Sequence, residues 1–525
     1  MKQVIDEVLP GGFGRIAREQ DTCWRVAHAS RAALLIDGKA HYAAAKAAML
    51  RARRSILLLG WEFDPRTRLE PHKPDDGTDA IGAFLIDLAK RRPELDVHLL
   101  IWDMSAPIAA AHDFFPQRAR AWFRGKLRFE LADGLVSGAC HHQKVLVIDD
   151  ELAFCGGGDF AMGRWDTHHH RDHEPSRRLP ASGKHYPPRH DVMMMVEGAA
   201  ARSLGELARR RWLDATGQSL PEAPEPSSAG EPSPCWPDHV SPDITDTSIA
   251  IARTRQASRV RSAVRENERL HLAAISAARD YIYLENQYFA SAAIGEALLS
   301  RMQEENGPEI IVVTSPTSPG LIDRTVMDSS REALLSRLHE ADRYGRFHPF
   351  AAHTQGGDCV IVHSKVTIID DRMLRVGSAN LNNRSFGFDT ECDIAIEAYD
   401  EEDHAEERRA ILAFRDRLIG HFLGCEAQVF GNTVAQQGSL ARAIHTIAGE
   451  RGRLRPFARK APGAFSSFVA RWHLGDPFGV EDAWRPWRRH IEKAKLDWAT
   501  RKSGYESSVG SGAVGWSSSS TTNGR

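Results

Sequence analysis

His142, Lys144 and Asp149 stand in the spacing H-x-K-x-x-x-x-D, and His363, Lys365 and Asp370 repeat it far downstream. Each copy is followed at the same offset by a turn of small residues, Gly156-Gly157-Gly158-Asp159 after the first and Gly377-Ser378-Ala379-Asn380 after the second. An imidazole beside an ammonium makes a poor metal site, because the ammonium repels a cation, but the pair suits an anionic phosphoryl group. A neutral His can attack phosphorus, a Lys can balance the charge on the non-bridging oxygens, and a second His can protonate the leaving oxygen. One copy lacks that second His; two copies facing each other supply it. Neighbours that split the two imidazoles around their usual pKa let one be neutral while the other is protonated.

The runs VLVIDD and VTIIDD read as strands, so side chains alternate. His142, Lys144, Leu146 and Ile148 then share one face, and Gln143, Val145, Val147 and Asp149 the other. The same arithmetic groups His363 with Lys365 and turns Asp370 away. His and Lys can meet one substrate group, whereas each Asp ties down the strand end or a neighbouring loop. His141 falls on the face opposite His142 and takes no part in the chemistry. Asp191 and Glu391 open the later apolar strands DVMMMVE and ECDIAIE. An acid bonded to the far ring nitrogen of each His would fix its tautomer and stabilise the imidazolium.

The elements that must position these residues alternate. A helix is predicted over Ala40–Arg54, then a buried strand in SILLLGWEF, a helix over Ala80–Lys90 and a strand in LDVHLLIWD, which is an α/β order. The stretch Gly217–Thr247 is dense in Pro, Ser, Gly and acid and reads as a linker. Beyond it the order returns: LHLAAISAARDYIYLENQYF lies over AAKAAMLRARRSILLLGWEF, and PEIIVVTSP takes the place of LDVHLLIWD. The chain reads as an internal duplication with a period of about 220 residues, too long for a solenoid. Two similar domains are expected, 28–216 and 248–425, joined by the 217–247 linker. A helical extension rich in basic and aromatic residues follows over 426–502, then a disordered low-complexity tail over 503–525.

A length of 525 residues fits two domains plus appendages. A net charge of -2 provides no global field for a polyanion such as nucleic acid. Apolar runs such as Ile56–Leu59 and Ile310–Val313 are far short of the roughly 18 residues that span a bilayer. The first 21 residues lack the continuous apolar segment of a secretory signal, which favours a cytoplasmic protein or export by another route. Seven scattered cysteines without a C-x-x-C pair argue against disulfides and thiolate zinc, and Cys140, Cys155 and Cys392 read as buried reduced thiols.

The paired motifs with their GGGD and GSAN turns, together with LENQYF at Leu284–Phe289 and GRWD at Gly163–Asp166, resemble the phospholipase D superfamily, in particular its two-motif phospholipid-cleaving branch. The resemblance covers roughly residues 30 to 425. It implies two phospholipase D-like α/β/α sandwich domains packed about a pseudo-twofold axis. It further implies a phosphodiesterase that works through a covalent phosphohistidine without metal or cofactor, resolved by water or by an alcohol. The catalytic set carried over is His142, Lys144, Asp149, His363, Lys365 and Asp370, with His142 attacking and His363 protonating the leaving group, or the reverse. Asn380, Asp159, Asp191, Glu391, Gly157 and Ser378 are expected to bind phosphate or support those that do. Asp159 departs from the Asn common in the family; an ionised carboxylate repels a phosphate oxygen, and the substitution marks the lipid-cleaving branch.

The substrate implied is a glycerophospholipid at a membrane surface, cleaved by a peripheral, monomeric enzyme to phosphatidic acid and free alcohol, or exchanged at the head group. Rival readings are a cardiolipin-synthase-like phosphatidyltransferase, a nuclease, and a catalytically silent lipid-binding protein. His168, His169, His170 and His173 read as a solvated polar loop in preference to a metal cluster. Tyr288 and Phe289 serve as pocket lining or as core. Trp472, Trp484, Trp487 and Trp498 among Arg and Lys suit a membrane surface or packing on the second domain.

Overall fold

The computed structural model describes residues 14–488 except 75–76, 105–108, 110–114, 126, 181, 223–232, 259–260, 321–322, 400–403, 450–451, 458–462 and 486. The middle of the expected linker, Trp498 and the 503–525 tail therefore lie outside the described residues. In the first part of the chain the strands are β1 (Arg25–Ile36), β2 (Ser55–Gly60), β3 (Asp96–Trp102), β4 (Arg128–Ala132), β5 (Val145–Ile148), β6 (Leu152–Gly156), β7 (Arg189–His190) and β8 (Val192–Glu197). In the second they are β9 (Ile244–Arg255), β10 (Val264–Arg265), β11 (Tyr281–Asn286), β12 (Glu309–Thr314), β13 (Phe347–Ala352), β14 (Ile361–Val362), β15 (Lys365–Ile369), β16 (Met373–Gly377), β17 (Glu391–Glu397) and β18 (Leu454–Pro456).

All but β7 and β14 join one mixed sheet in the order 18-13-12-11-15-16-17-9-1-8-6-5-2-3-4, with β10 on β9. The order runs outward from a central seam, where β1 and β9 pair antiparallel from Arg25↔Ile251 to Ala32↔Ile244. On one side β2, β3 and β4 are parallel, and β5, β6, β8 and β1 follow antiparallel. On the other side β11, β12 and β13 are parallel, and β15, β16, β17 and β9 follow antiparallel. β7 and β14 pair with each other in parallel, tying the first part of the chain to the second beside the sheet.

Strand alternation sends side chains to two faces and makes the fold an α/β/α arrangement. Leu57 and Leu59 of β2 face one core and Ile56 and Leu58 the other. The first core is continuous across the seam and is closed by Trp212 of the helix Ala199–Thr216 and Phe414 and Leu418 of the helix Ala405–Leu423. The opposite face carries two separate cores. One is closed by Tyr42 and Ala45 of the helix Asp37–Met49, the other by Leu270 and Ala274 of the helix Glu266–Ala277.

Two stretches differ from the sequence reading. The part of Gly217–Thr247 described after residue 232 is no free linker: Cys235 and Trp236 are buried in the first part's core, and Arg51 Nη1 donates to the Trp236 carbonyl. Pro and acid content masked two apolar anchors there. The extension after 426 is not helical throughout, because Leu454–Pro456 adds the edge strand β18 to β13.

Asp149 and Asp370 sit just past β5 and β15 with φ of 54° and 52°. The Asp149 carboxylate accepts from the backbone N–H groups of Arg53, Arg54 and Ser55, each at 2.7 Å. Asp370 accepts from those of Arg279, Asp280 and Tyr281 at 2.8 to 2.9 Å. Each aspartate thus fixes the entry of the neighbouring strand, β2 or β11. Asp149→Ala or Asp370→Ala is expected to cost about 2–3 kcal/mol, because amides lose their acceptor. A urea midpoint equal to wild type would show that water satisfies those amides instead.

Candidate active site

His142 and Lys144 stand immediately before β5, and His363 immediately before β15, whose first residue is Lys365. The expected strand begins later than the motif, so backbone links to the other part of the chain hold the histidines. His142 N–H donates to the Thr390 carbonyl at 3.0 Å, and His363 N–H to the His190 carbonyl at 2.8 Å. Each link puts a histidine beside the residue that precedes an acid. The pairing is crossed: His142 Nδ1 lies 2.9 Å from Glu391 Oε2, and His363 Nδ1 lies 2.8 Å from Asp191 Oδ2. Both acids are therefore the ring partners that the sequence suggested, but each serves the motif of the opposite part of the chain. An acid on Nδ1 places the ring proton there and leaves Nε2 to face the site.

The glycine turns make room for two carboxylates, Asp191 and, in the second turn, Asp393, which pairs with Arg375. A Cβ at Gly157 would stand 2.1 Å from Asp191 Oδ1, and one at Gly377 1.8 Å from Asp393 Oδ1. Ser378 Oγ donates to Glu391 Oε2 at 2.6 Å and accepts from Cys392 N–H at 3.0 Å. Gly157 and Ser378 thus support the acids. Asn286 of LENQYF accepts from the Leu381 N–H at 3.1 Å and so steadies the turn that carries Asn380. The Asn380 Oδ1 is buried without a hydrogen-bond partner.

Lys144 Nζ forms a 3.0 Å ion pair with Asp159 Oδ2 and lies 5.7 Å from the centre of the Trp61 ring. Asp159 Oδ1 accepts from the Trp61 N–H at 3.0 Å. Asp159 accordingly anchors the lysine, in keeping with its unsuitability as a phosphate donor. Lys365 Nζ donates to the His363 carbonyl.

Two arginines that the sequence reading did not place complete the positive side. Arg164, from GRWD, holds Glu62 at 2.8 Å and reaches His363 Nε2 at 3.4 Å. Arg189 donates to the Gly163 carbonyl, and its Nη1 has no hydrogen-bond partner. GRWD was a signal for Arg164; nothing local marks Arg189. Among the other candidates, His141 bonds Thr390 Oγ1 and the Asp133 carbonyl, a structural role. Phe289 is core and Tyr288 half-buried. His168, His169 and His173 are exposed, but His170 is wholly buried and corrects its assignment to a solvated loop, because Asp166 draws it inward.

Burial dominates the protonation of this site. It holds His142 well below the usual imidazole range, assisted by Lys144 and Lys365. His363 is lowered by burial and then by Lys365, Arg189, Arg164 and Lys144. Glu391 and Asp191 are raised, again by burial. Burial thus favours the neutral form of both imidazoles, and Lys144, Lys365, Arg164 and Arg189 all bear on His363.

The profile of the family described as Phospholipase D matches residues 48–297, and that described as Cardiolipin synthase, PLD-like domain, matches residues 271–410. Phospholipase D2 of Bos taurus is 23% identical over 469 residues, covering 69% of this chain and 48% of the relative. Phospholipase D A of Dictyostelium discoideum is 25% identical over 365 residues, covering 55% and 27%. Among solved structures, the phosphatidylserine synthase of Haemophilus influenzae matches with a TM-score of 0.49 at 14% identity, covering 74% of this chain and 88% of that one. A mixed α/β fold with two such profile matches defines a phospholipase D-like protein. The chain belongs to the phospholipase D superfamily. It spans about half the length of the first of these two relatives and about a quarter of the second.

The electrostatics can be checked directly. In histidine-labelled protein, ring 15N shifts at pH 7 are expected to show His142 and His363 neutral, and Lys365→Met to raise the His363 pKa. Fully charged rings at pH 7 would mean that pairing with the acids outweighs burial.

Proposed function

We propose that the protein is a phospholipase D-type phosphodiesterase acting on glycerophospholipids. The observation that carries this reading is the pair of crossed imidazole–carboxylate contacts, which occupy Nδ1 of each ring and free Nε2 from its acid; in the proposed reaction both Nε2 atoms act on one phosphoryl group. His142 Nε2 attacks phosphorus and the bond to the head-group oxygen breaks as His363, in its doubly protonated form with one proton on Nδ1 and one on Nε2, delivers the Nε2 proton to that oxygen and returns to the neutral ring. The lysines, with Arg164 and Arg189, balance charge on the non-bridging oxygens. Water or an alcohol then attacks the phosphohistidine, giving up its proton to His363 and releasing phosphatidic acid or a new phosphatidyl ester.

The lipid is met at a membrane surface. Among the described residues no helix is long and apolar enough to cross a membrane. Phe465, Phe468, Trp484 and Trp487 are exposed near the C-terminal end of the described chain and suit an interface. A second reading, phosphatidyl transfer to a lipid alcohol, is favoured by the profile described as Cardiolipin synthase over residues 271–410. Transfer and hydrolysis share the first step and differ in which acceptor attacks second.

Purified protein incubated with phosphatidylcholine, phosphatidylglycerol or single-stranded DNA, with and without ethanol, tests the proposal. Phosphatidylethanol is expected to form with wild type, to vanish in His142→Ala, and to fall by roughly 10²–10⁴-fold in kcat in His363→Ala. Activity on DNA alone, or activity surviving both substitutions, would overturn it; cardiolipin from phosphatidylglycerol would select the transfer reading.

The pH dependence follows from Lys365, which burial and the charge of Lys144 lower to about 7 although Asp191 works in the opposite direction. Above that value the ammonium loses its charge, and the low pKa of His363 likewise depletes the proton donor. kcat/KM is therefore expected to decline as pH rises through about 7, with part of the loss in KM. A profile flat from pH 6 to 8 would contradict this.

A further inference from the structure

Next to His363, four side chains from distant parts of the chain meet in the interior. They are Asp37 at the start of the helix Asp37–Met49, His170 in the loop after Asp166, His190 in β7 and His421 in the last turn of the helix Ala405–Leu423. His190 is fully engaged: its Nδ1 lies 2.9 Å from Asp37 Oδ1 and its Nε2 2.9 Å from Glu285 Oε2. Facing a carboxylate on either side, it has no lone pair to offer.

The other two rings are in the opposite condition. His170 Nδ1 lies 3.0 Å from Asp166 Oδ2, and His421 Nδ1 lies 2.5 Å from the Leu418 carbonyl oxygen. Both partners are acceptors, so each ring carries its proton on Nδ1 and presents a lone pair at Nε2. Those two Nε2 atoms face each other at 3.2 Å. Asp37 Oδ2, buried and without a hydrogen-bond partner, lies 3.5 Å from the first and 4.0 Å from the second. Three acceptors therefore converge with no proton among them. An extra proton on either ring can point at only one of the other two atoms, leaving a repulsive contact. Of the nearby cations, His190 meets Asp37 through the other carboxylate oxygen, Oδ1, and leaves Oδ2 unbonded, while Arg177 is directed to Asp166 and Arg453 to the His421 carbonyl.

A point equidistant from the three acceptors lies about 2.1 Å from each, the length of a zinc bond to an imidazole nitrogen or a carboxylate oxygen. A carboxylate behind His170 and a backbone carbonyl behind His421 are the outer contacts that orient metal-binding imidazoles. We propose that Asp37 Oδ2, His170 Nε2 and His421 Nε2 bind one divalent transition-metal ion of the zinc type, with solvent completing its coordination. The ion is structural. It ties the segment 163–190, which carries Arg164 and Arg189 to His363, to the helix Ala405–Leu423 from the other end of the chain.

The full chain, purified without chelator and without a polyhistidine tag, is expected to retain about one equivalent of zinc by mass spectrometry. His170→Gln and His421→Gln are expected to lose it, and His169→Gln, an exposed neighbour, to keep it. Because the buried variants can fail to fold, a second measurement uses wild type stripped with a strong chelator. Stripping is expected to lower Tm by several degrees, zinc to restore it, and cobalt to give the visible absorption of a nitrogen- and oxygen-bound ion. Metal retained by both folded histidine variants, or stripped protein whose Tm and spectrum do not respond to zinc and cobalt, would overturn the proposal.

Discussion

The structure depends on two buried imidazole–carboxylate contacts that cross from one part of the chain to the other. Glu391 has no exposed surface, and a carboxylate so placed is costly unless something meets it. Its partners are His142 on one side and Ser378 on the other. Asp191 has His363 and its own strand's first amide, that of Val192. Removing either histidine would leave a carboxylate stranded in the other part of the chain. The absent side chain at Gly157 belongs to the same constraint, since it makes room for the Asp191 carboxylate that pairs with His363.

What was legible in the sequence was what repeats and what alternates. The motif spacing located both histidine–lysine pairs. The apolar runs Ile56–Leu59 and Ile310–Val313 located β2 and β12, and the 3.6-residue pattern gave the helices at about 40 and 80. The crossed pairing was not legible, because it is a property of tertiary contact: Asp191 stands closer in sequence to His142 yet bonds His363. The seam escaped as well. RVAHASRAALLI and ITDTSIAIARTR mix exposed and buried positions irregularly, yet they are the two longest strands. His170 was misplaced for a related reason, as its polar neighbours spoke for solvent while Asp166, Asp37 and His421 were too distant in the chain to speak for burial.

The charged groups of the site are held in advance of any ligand. Lys144 has Asp159 and the Trp61 ring, Arg164 has Glu62, and both histidines have acids behind them. Oriented charges in a water-poor site need little rearrangement when an anion arrives, which is where electrostatic stabilisation is most effective. Asp159, 3.0 Å from Lys144, belongs to these preset pairs.

The seam between β1 and β9 also settles a matter of solubility. Two separate sheets would expose four edge strands, each a row of unpaired amides open to another chain. Joined through β1 and β9, the main sheet has two among the described residues, β18 and β4. β18 is three residues long and ends in Pro456, which cannot donate to a further strand. β4 carries Arg128 and Glu130 along its rim, with Glu130 held by Arg120 at 2.7 Å. A sheet this wide thus ends on both sides in a strand that resists extension, and its aggregation-prone edges are placed where sequence can blunt them.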